Sequence, residues 1–142
     1  MNKIIISRES DLNPGEFREL IIKSTLGERR PVDDFERIKQ MCKNANLIVT
    51  ARKDGKLIGI ARSITDFAYC TYLSDLAVDI EYQKKGIGKK MIKETKKQSP
   101  LAKLILLSAP TAIDYYPKIG MKKHKYCYVL DDLNDLVYDF AH

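Results

Sequence analysis

Gln83-Lys84-Lys85-Gly86-Ile87-Gly88 joins an apolar stretch ending at Val78 to a lysine-studded stretch that runs to Gln98. Glycine has no β-carbon, so at Gly86 and Gly88 the backbone N–H groups can turn toward one point and a ligand can come close. A helix opening just beyond adds its unpaired N–H groups and the positive end of its dipole to that point. The expected guest is a phosphorylated cofactor gripped by its pyrophosphate.

On either side of this turn, Tyr69 to Val78 reads as a long strand and residues 87 to 97 as a helix that Ser99-Pro100 stops. Leu104-Ile105-Leu106-Leu107 follows, and four consecutive large aliphatics predict a strand covered on both faces, central in its sheet and parallel to the strand before the helix. Strand, crossover helix and strand make a right-handed βαβ unit with the glycine turn at the carboxyl end of its first strand, where α/β sheets bind ligands. Upstream, a strand is expected at residues 3 to 8, a helix from Asn13-Pro14, and a second helix from Asp33 or Asp34 with Phe35, Ile38, Met41 and Cys42 on its apolar face. Residues 47 to 52 and 56 to 64 flank Asp54-Gly55, the signature of a tight hairpin between antiparallel strands.

The chain has 142 residues, 44% hydrophobic and 31% charged, which predicts a single globular α/β domain over residues 1 to 142. No apolar run approaches the ~20 residues of a membrane helix, and the Ile4-Ile5-Ile6 run is too short for a signal-peptide core, so a cytoplasmic protein without membrane contact is expected. Three cysteines, Cys42, Cys70 and Cys127, lack CxxC spacing, and His124 and His142 lie outside any metal motif. Neither disulfides nor a metal is expected. Cys70 and Cys127 have no histidine within their motifs and are expected to be small buried hydrophobes rather than nucleophiles.

The net charge of +6 has a location: seven lysines against Glu94 alone fall within residues 83 to 98, and the rest of the chain is balanced. Such a run suits a solvated helix face or an anionic ligand beside the glycine turn. A nucleic-acid partner is disfavoured, because the segment lacks the interleaved aromatics that stack on bases. Near the C-terminus, Asp131, Asp132, Asp135 and Asp139 alternate with Leu133, Leu136, Val137 and Phe140 at helical spacing. This predicts a short amphipathic helix that packs on the domain or meets a second copy in a homodimer.

A P-loop and a dinucleotide fingerprint both fail here, the first for want of GxxxxGK followed by Ser or Thr, the second because Met91 stands where a third glycine is needed. What the segment resembles is motif A of the GCN5-related N-acetyltransferases, the GNAT family: a strand with LxV, here Asp75-Leu76-Ala77-Val78, then QxxGxG. Downstream, Ala112-Ile113-Asp114-Tyr115-Tyr116-Pro117-Lys118-Ile119-Gly120-Met121 is similar to the family's AIxxYxxxGF segment, with Met for Phe. The resemblance covers roughly residues 47 to 130 and implies a central mixed β-sheet flanked by helices.

It further implies acetyl-CoA as co-substrate, its pyrophosphate held by backbone N–H groups from Lys84, Lys85, Gly86, Ile87, Gly88 and Lys89 beside Gln83. Its pantetheine arm would pair like a strand with Leu76, Ala77 and Val78. Acetyl transfer from a thioester to an amine requires an unprotonated amine, a donor to the developing oxyanion and a proton for the departing thiolate. By the same resemblance Tyr116 is the candidate acid, with Tyr115 beside it, Asp75 the candidate base, directly or through water, and the Val78 N–H the oxyanion donor. A phenol of pKa near 10 can protonate a thiolate while staying neutral at pH 7. Two departures bear on the site: Pro117 is expected to push Tyr116 away from helical geometry, and Ala109-Pro110 stands where the family often has an asparagine that contacts pantetheine.

The implied activity is N-acetylation of a small-molecule or peptide primary amine by direct attack. Use of another acyl-CoA, or a regulatory module that binds CoA without catalysis, are the alternatives. In this family residues corresponding to 9 to 46 and the strand edges near Tyr126 choose the acceptor. Arg29, Arg30 and Arg37 lie in that region and are expected to face solvent, the alternative being that they favour an acceptor carrying an acidic group; Tyr69, Tyr72, Tyr126 and Tyr128 are expected to pack near the sheet or line an acceptor pocket.

Overall fold

The computed structural model describes residues 3–138. The chain divides into two compact units, Met1–Leu107 and Ser108–His142. In the first, β1 (Ile4–Glu9), β2 (Leu47–Lys53), β3 (Lys56–Thr65) and β4 (Cys70–Val78) pair antiparallel in chain order, and β5 (Lys103–Ile105) joins β4 in parallel. Helices α1 (Pro14–Lys23) and α2 (Phe35–Asn44) lie between β1 and β2 in sequence, and α3 (Ile87–Gln98) between β4 and β5. The result is a mixed five-stranded sheet with flanking helices.

Local chemistry fixes these elements. Asn13 caps α1 by accepting from the Glu16 N–H at 3.0 Å, ahead of Pro14 in the first turn, and Asp34 caps α2 by accepting from the Arg37 N–H at 3.1 Å. Asp54 and Gly55 both take positive φ, 50° and 82°, as a two-residue turn of the favoured hairpin type requires. The Asp66 carboxylate shapes the link from β3 to β4, accepting from the N–H groups of Ala68, Tyr69 and Cys70.

Two apolar layers sandwich the sheet. Phe17, Leu20 and Ile21 of α1 and Ile38 and Cys42 of α2 pack with Ile48, Leu57, Ile60 and Ala77 on one side. On the other, Ile87 and Met91 of α3 pack with Val49, Ala51, Ile58, Ala61 and Leu73. Burying a side chain such as Met91 contributes roughly 1.5–3 kcal/mol. Among the described residues no helix is long and apolar enough to cross a membrane.

The aliphatic run at residues 104 to 107 departs from expectation. It is parallel to β4, but β5 is a three-residue strand at the end of the sheet order rather than a central one. Leu104 and Leu106 pack toward the α3 layer while Ile105 and Leu107 remain 45% and 52% exposed. A continuous apolar run carries no periodicity, so the residues alone do not distinguish coverage on two faces from coverage on one.

In the second unit, α4 (Tyr115–Lys118) follows a single 3₁₀ turn at Pro110–Ala112. Gly120, at φ 100°, ends α4: the Met121 N–H donates to the Tyr116 carbonyl and the Gly120 N–H to that of Pro117. That double bond pattern around a left-handed glycine is a Schellman cap. The amphipathic helix expected near residues 131 to 140 is, within the described residues, only a 3₁₀ turn at Leu133–Asp135. The Asp132 carboxylate accepts from the Asn134 N–H at 2.8 Å, a local bond that competes with helix formation. Asp139 and Phe140 lie outside the described residues.

Candidate active site

β4 is the element around which the site is built. Its pairing with β5 covers Cys70 to Tyr72 alone, and from Leu73 to Val78 it continues with no strand partner on that side among the described residues. Backbone groups along this edge are free to pair with an extended ligand.

Past Val78 the chain is drawn into a tight return. The Asp79 N–H donates to the Ile58 carbonyl at 2.8 Å, and the buried Asp79 carboxylate accepts from the Glu81 N–H at 3.0 Å. The Gln83 amide donates to the Val78 carbonyl at 2.9 Å, so this motif residue ties the loop to the end of β4. Lys84 and Gly86 then take left-handed conformations, φ 64° and 79°, on either side of Lys85. Gly86 is the N-cap of α3, no side chain caps that end, and its carbonyl accepts from the Lys90 N–H at 3.1 Å. The N–H groups of Ile87, Gly88 and Lys89 therefore point beyond the helix without intrahelical acceptors.

The surrounding charge is positive. All seven lysines of residues 83 to 98 are exposed, and among the described residues none is in a salt bridge. Lys85 and Lys53 place their ammonium groups 5.5 Å and 5.2 Å from the centroid of the Tyr82 ring. Lys53, at the end of β2, adds to the basic rim a charge that sequence reading did not single out.

Asp75 is buried and doubly ion-paired. It is 0% exposed, its Oδ1 accepts from Arg30 Nε at 2.5 Å, and its Oδ2 accepts from Arg62 Nε. Arg62, 5% exposed, stands opposite Asp75 on β3. Between the pairs Arg62–Asp75 and Ser63–Leu73, Ser74 is an extra residue on β4, a β-bulge. Arg30 Nη2 donates to the Ser74 carbonyl at 2.8 Å and Arg62 Nη2 to its hydroxyl at 3.0 Å. Arg30 is thus turned inward, contrary to the expectation that it faces solvent. Neither arginine was visible as a partner of Asp75 in the sequence, since pairs so distant along the chain leave no periodic trace.

Tyr116 belongs to the second unit, on α4, half-buried, with Tyr115 edge-on at 5.2 Å between ring centroids. Burial pushes its hydroxyl above the usual phenol value, and Tyr115 adds to the shift. Pro117 does not exclude Tyr116 from the helix: it occupies the third position of α4, where its missing N–H has no intrahelical acceptor to serve.

Cys70 and Cys127 are exposed, contrary to expectation, while Cys42 is buried on the apolar face of α2 as expected. Burial pushes the Cys42 thiol up to about 11, which leaves it inert at neutral pH. Tyr69, Tyr126 and Tyr128 are also exposed rather than packed. No group of metal-ligating side chains occurs among the described residues.

The domain family described as "Acetyltransferase (GNAT) domain" matches residues 25–132. The chain belongs to the GNAT acetyltransferase family. The GNAT match spans the loop before α2, the open edge of β4, the glycine turn and the Tyr116 segment. The chain is 26% identical over 127 residues, 84% of its length and 71% of the other's, to an uncharacterized N-acetyltransferase, ycf52, of Pyropia yezoensis. Among solved structures it shares the fold of a GNAT family acetyltransferase from Streptococcus pneumoniae, with TM-score 0.77 and 19% identity over 94% of this chain and 100% of that one. It also shares the fold of an aminoglycoside N-acetyltransferase, AAC(6')-Iy, solved in complex with CoA, with TM-score 0.71 and 13% identity over 94% and 97%.

Proposed function

We propose that this GNAT protein moves the acetyl group of acetyl-CoA to a primary amine by direct attack. The observation that carries this reading is the unpartnered edge of β4 leading into the uncapped N-terminus of α3. An extended amide-bearing arm would pair with Leu76, Ala77 and Val78, and the pyrophosphate would sit on the N–H groups from Lys84 to Lys89, within a rim of exposed lysines.

The amine lone pair attacks the thioester carbonyl, and the Val78 N–H stabilises the negative charge that develops on its oxygen. The carbon–sulfur bond breaks, and the departing thiolate takes the proton of the Tyr116 hydroxyl. The raised value of that phenol keeps it protonated at neutral pH. Asp75 is reassigned from base to anchor in this reading, because a carboxylate that is 0% exposed, with a guanidinium on each oxygen, is out of reach of a substrate amine. Removal of the amine proton then falls to water. Aminoglycosides, on which a relative of the same fold acts by name, are the first small-molecule amines to try as acceptors.

Calorimetric titration of the chain with acetyl-CoA tests the reading, with Gly86→Glu as control. Binding with a Kd on the order of micromolar, lost in the variant, supports it. Absence of heat with the wild-type chain overturns it.

A further inference from the structure

We infer that Arg30 is a positioning residue that couples the loop of residues 25 to 34, between α1 and α2, to the cofactor edge of β4, and this inference rests on the acetyl-CoA reading of that edge.

The loop carries few ties to the sheet. Within it, the Val32 N–H donates to the Arg30 carbonyl, and on its α1 side Arg18 Nε donates to the Val32 carbonyl at 2.6 Å. Among the described residues, the side-chain hydrogen bonds that join residues 25 to 34 to the sheet all come from Arg30. That one guanidinium uses Nε on the Asp75 carboxylate, Nη2 on the Ser74 carbonyl and Nη1 on its own neighbour, the Arg29 carbonyl. With a side-chain exposure of 21%, it lies at the boundary between loop and interior.

What it grips decides the geometry beyond. A bulge shifts the pleat by one residue, so its place along the strand determines which backbone groups of the following residues point to each side. Ser74 is that extra residue, and Leu76 to Val78 begin two positions later. Arg62 holds the bulge from β3 and reaches α2 through the Met41 carbonyl at 3.0 Å, while Arg30 holds it from the loop. If the bulge moved, the Val78 N–H would no longer face the open edge. A buried carboxylate shared by two guanidiniums demands one arrangement, since either cation leaving exposes an uncompensated charge in the interior. An extended ligand that fixes β4 therefore also fixes the acceptor of the Arg30 fork, and by linkage the order of the loop and the affinity of the edge depend on one another.

The test is hydrogen exchange of residues 25 to 34 with and without saturating acetyl-CoA, in the wild type, Arg30→Gln and Arg30→Lys, with calorimetry on the same samples. In the wild type, acetyl-CoA should slow exchange in the loop by about fivefold or more, the lower range of coupling between linked sites. Arg30→Gln should abolish that slowing and weaken acetyl-CoA by a similar factor. Arg30→Lys keeps the charge beside Asp75 but not the fork to Ser74, and should restore part of the slowing. It is also the variant to read if Arg30→Gln does not fold. Tight acetyl-CoA binding with an unresponsive wild-type loop, or a response that survives in either variant unchanged, overturns the coupling alone. Failure of the wild type to bind acetyl-CoA overturns the acetyltransferase reading and the coupling with it.

Discussion

Gly59 on β3 lies directly beneath the thioether of Met91: a β-carbon on Gly59 would stand 3.0 Å from Met91 Cε and 3.1 Å from the Ala51 Cβ. The methionine end can swing aside, but Ala51 is fixed to β2, so a methyl group here strains the strand pair. Gly59→Ala should lower the unfolding free energy by about 1–2 kcal/mol, as overpacking does, seen as a lower urea midpoint at unchanged slope. Met91→Ala alone should cost about 2–4 kcal/mol. Combined, the two should cost less than their sum, because the added methyl enters space that Met91 vacates; strict additivity would rule out this contact.

Arg52 gives the sheet an acid-sensitive staple. Its Nε and Nη2 donate to the two carboxylate oxygens of Glu9 at 2.7 Å and 3.1 Å, and its Nη groups reach Glu16. Arg52 holds the Glu9 carboxyl below its ordinary 4.5, burial opposes that and the Thr50 hydroxyl assists. A depressed folded value means the stabilisation is whole above pH 4.5 and is lost as pH falls through the folded value. Glu9→Gln should remove this acid-dependent component, on the order of 1 kcal/mol, and flatten stability against pH below 4.5. Chemical denaturation at a series of pH values reads it directly.

Gly86→Ala isolates backbone strain from crowding. Nothing stands within 4 Å of a β-carbon there, yet φ is +79°. The left-handed conformation costs an alanine roughly 1–2 kcal/mol, so the loop should relax away from it and acetyl-CoA affinity should fall about tenfold at nearly unchanged melting temperature. Equal affinity would place the phosphates elsewhere.

Tyr116→Phe should lower kcat about 100-fold, within the range general acids supply, with the KM for acetyl-CoA little changed. Tyr115→Phe should leave both near wild type. Because the acid must be protonated and burial raises its pKa above the ordinary phenol value of 10.0, the midpoint of the alkaline loss of kcat should lie on the high side of that value and the loss should vanish in Tyr116→Phe.

Local signals in the sequence were well preserved in the fold. Asn13, Asp34 and Asp54-Gly55 act through neighbours two or three residues away, so caps and hairpin were legible in the residues themselves. The glycine turn was legible for the same reason, since Gly86 solves a local backbone problem. Arg30 and Arg62 were not, because what makes them matter is a partner on another strand or loop. β5 escaped because four aliphatics in a row fit a covered or a half-covered strand alike. Among the described residues, the turn at Leu133–Asp135 escaped because periodicity promised a helix while the Asp132 side chain offered the backbone a shorter bond.

The sheet opens between β4 and β5 in such a way that what β4 presents there is main chain. Main-chain donors and acceptors are the same whatever residue carries them, so replacing Leu76 or Val78 with another strand former leaves that surface chemically unchanged. On the proposed acetyl-CoA reading, side chains along Leu76 to Val78 are then free to vary, while the constraint falls on the few positions that shape the backbone itself, Gly86 in the turn and the residues that hold the Ser74 bulge.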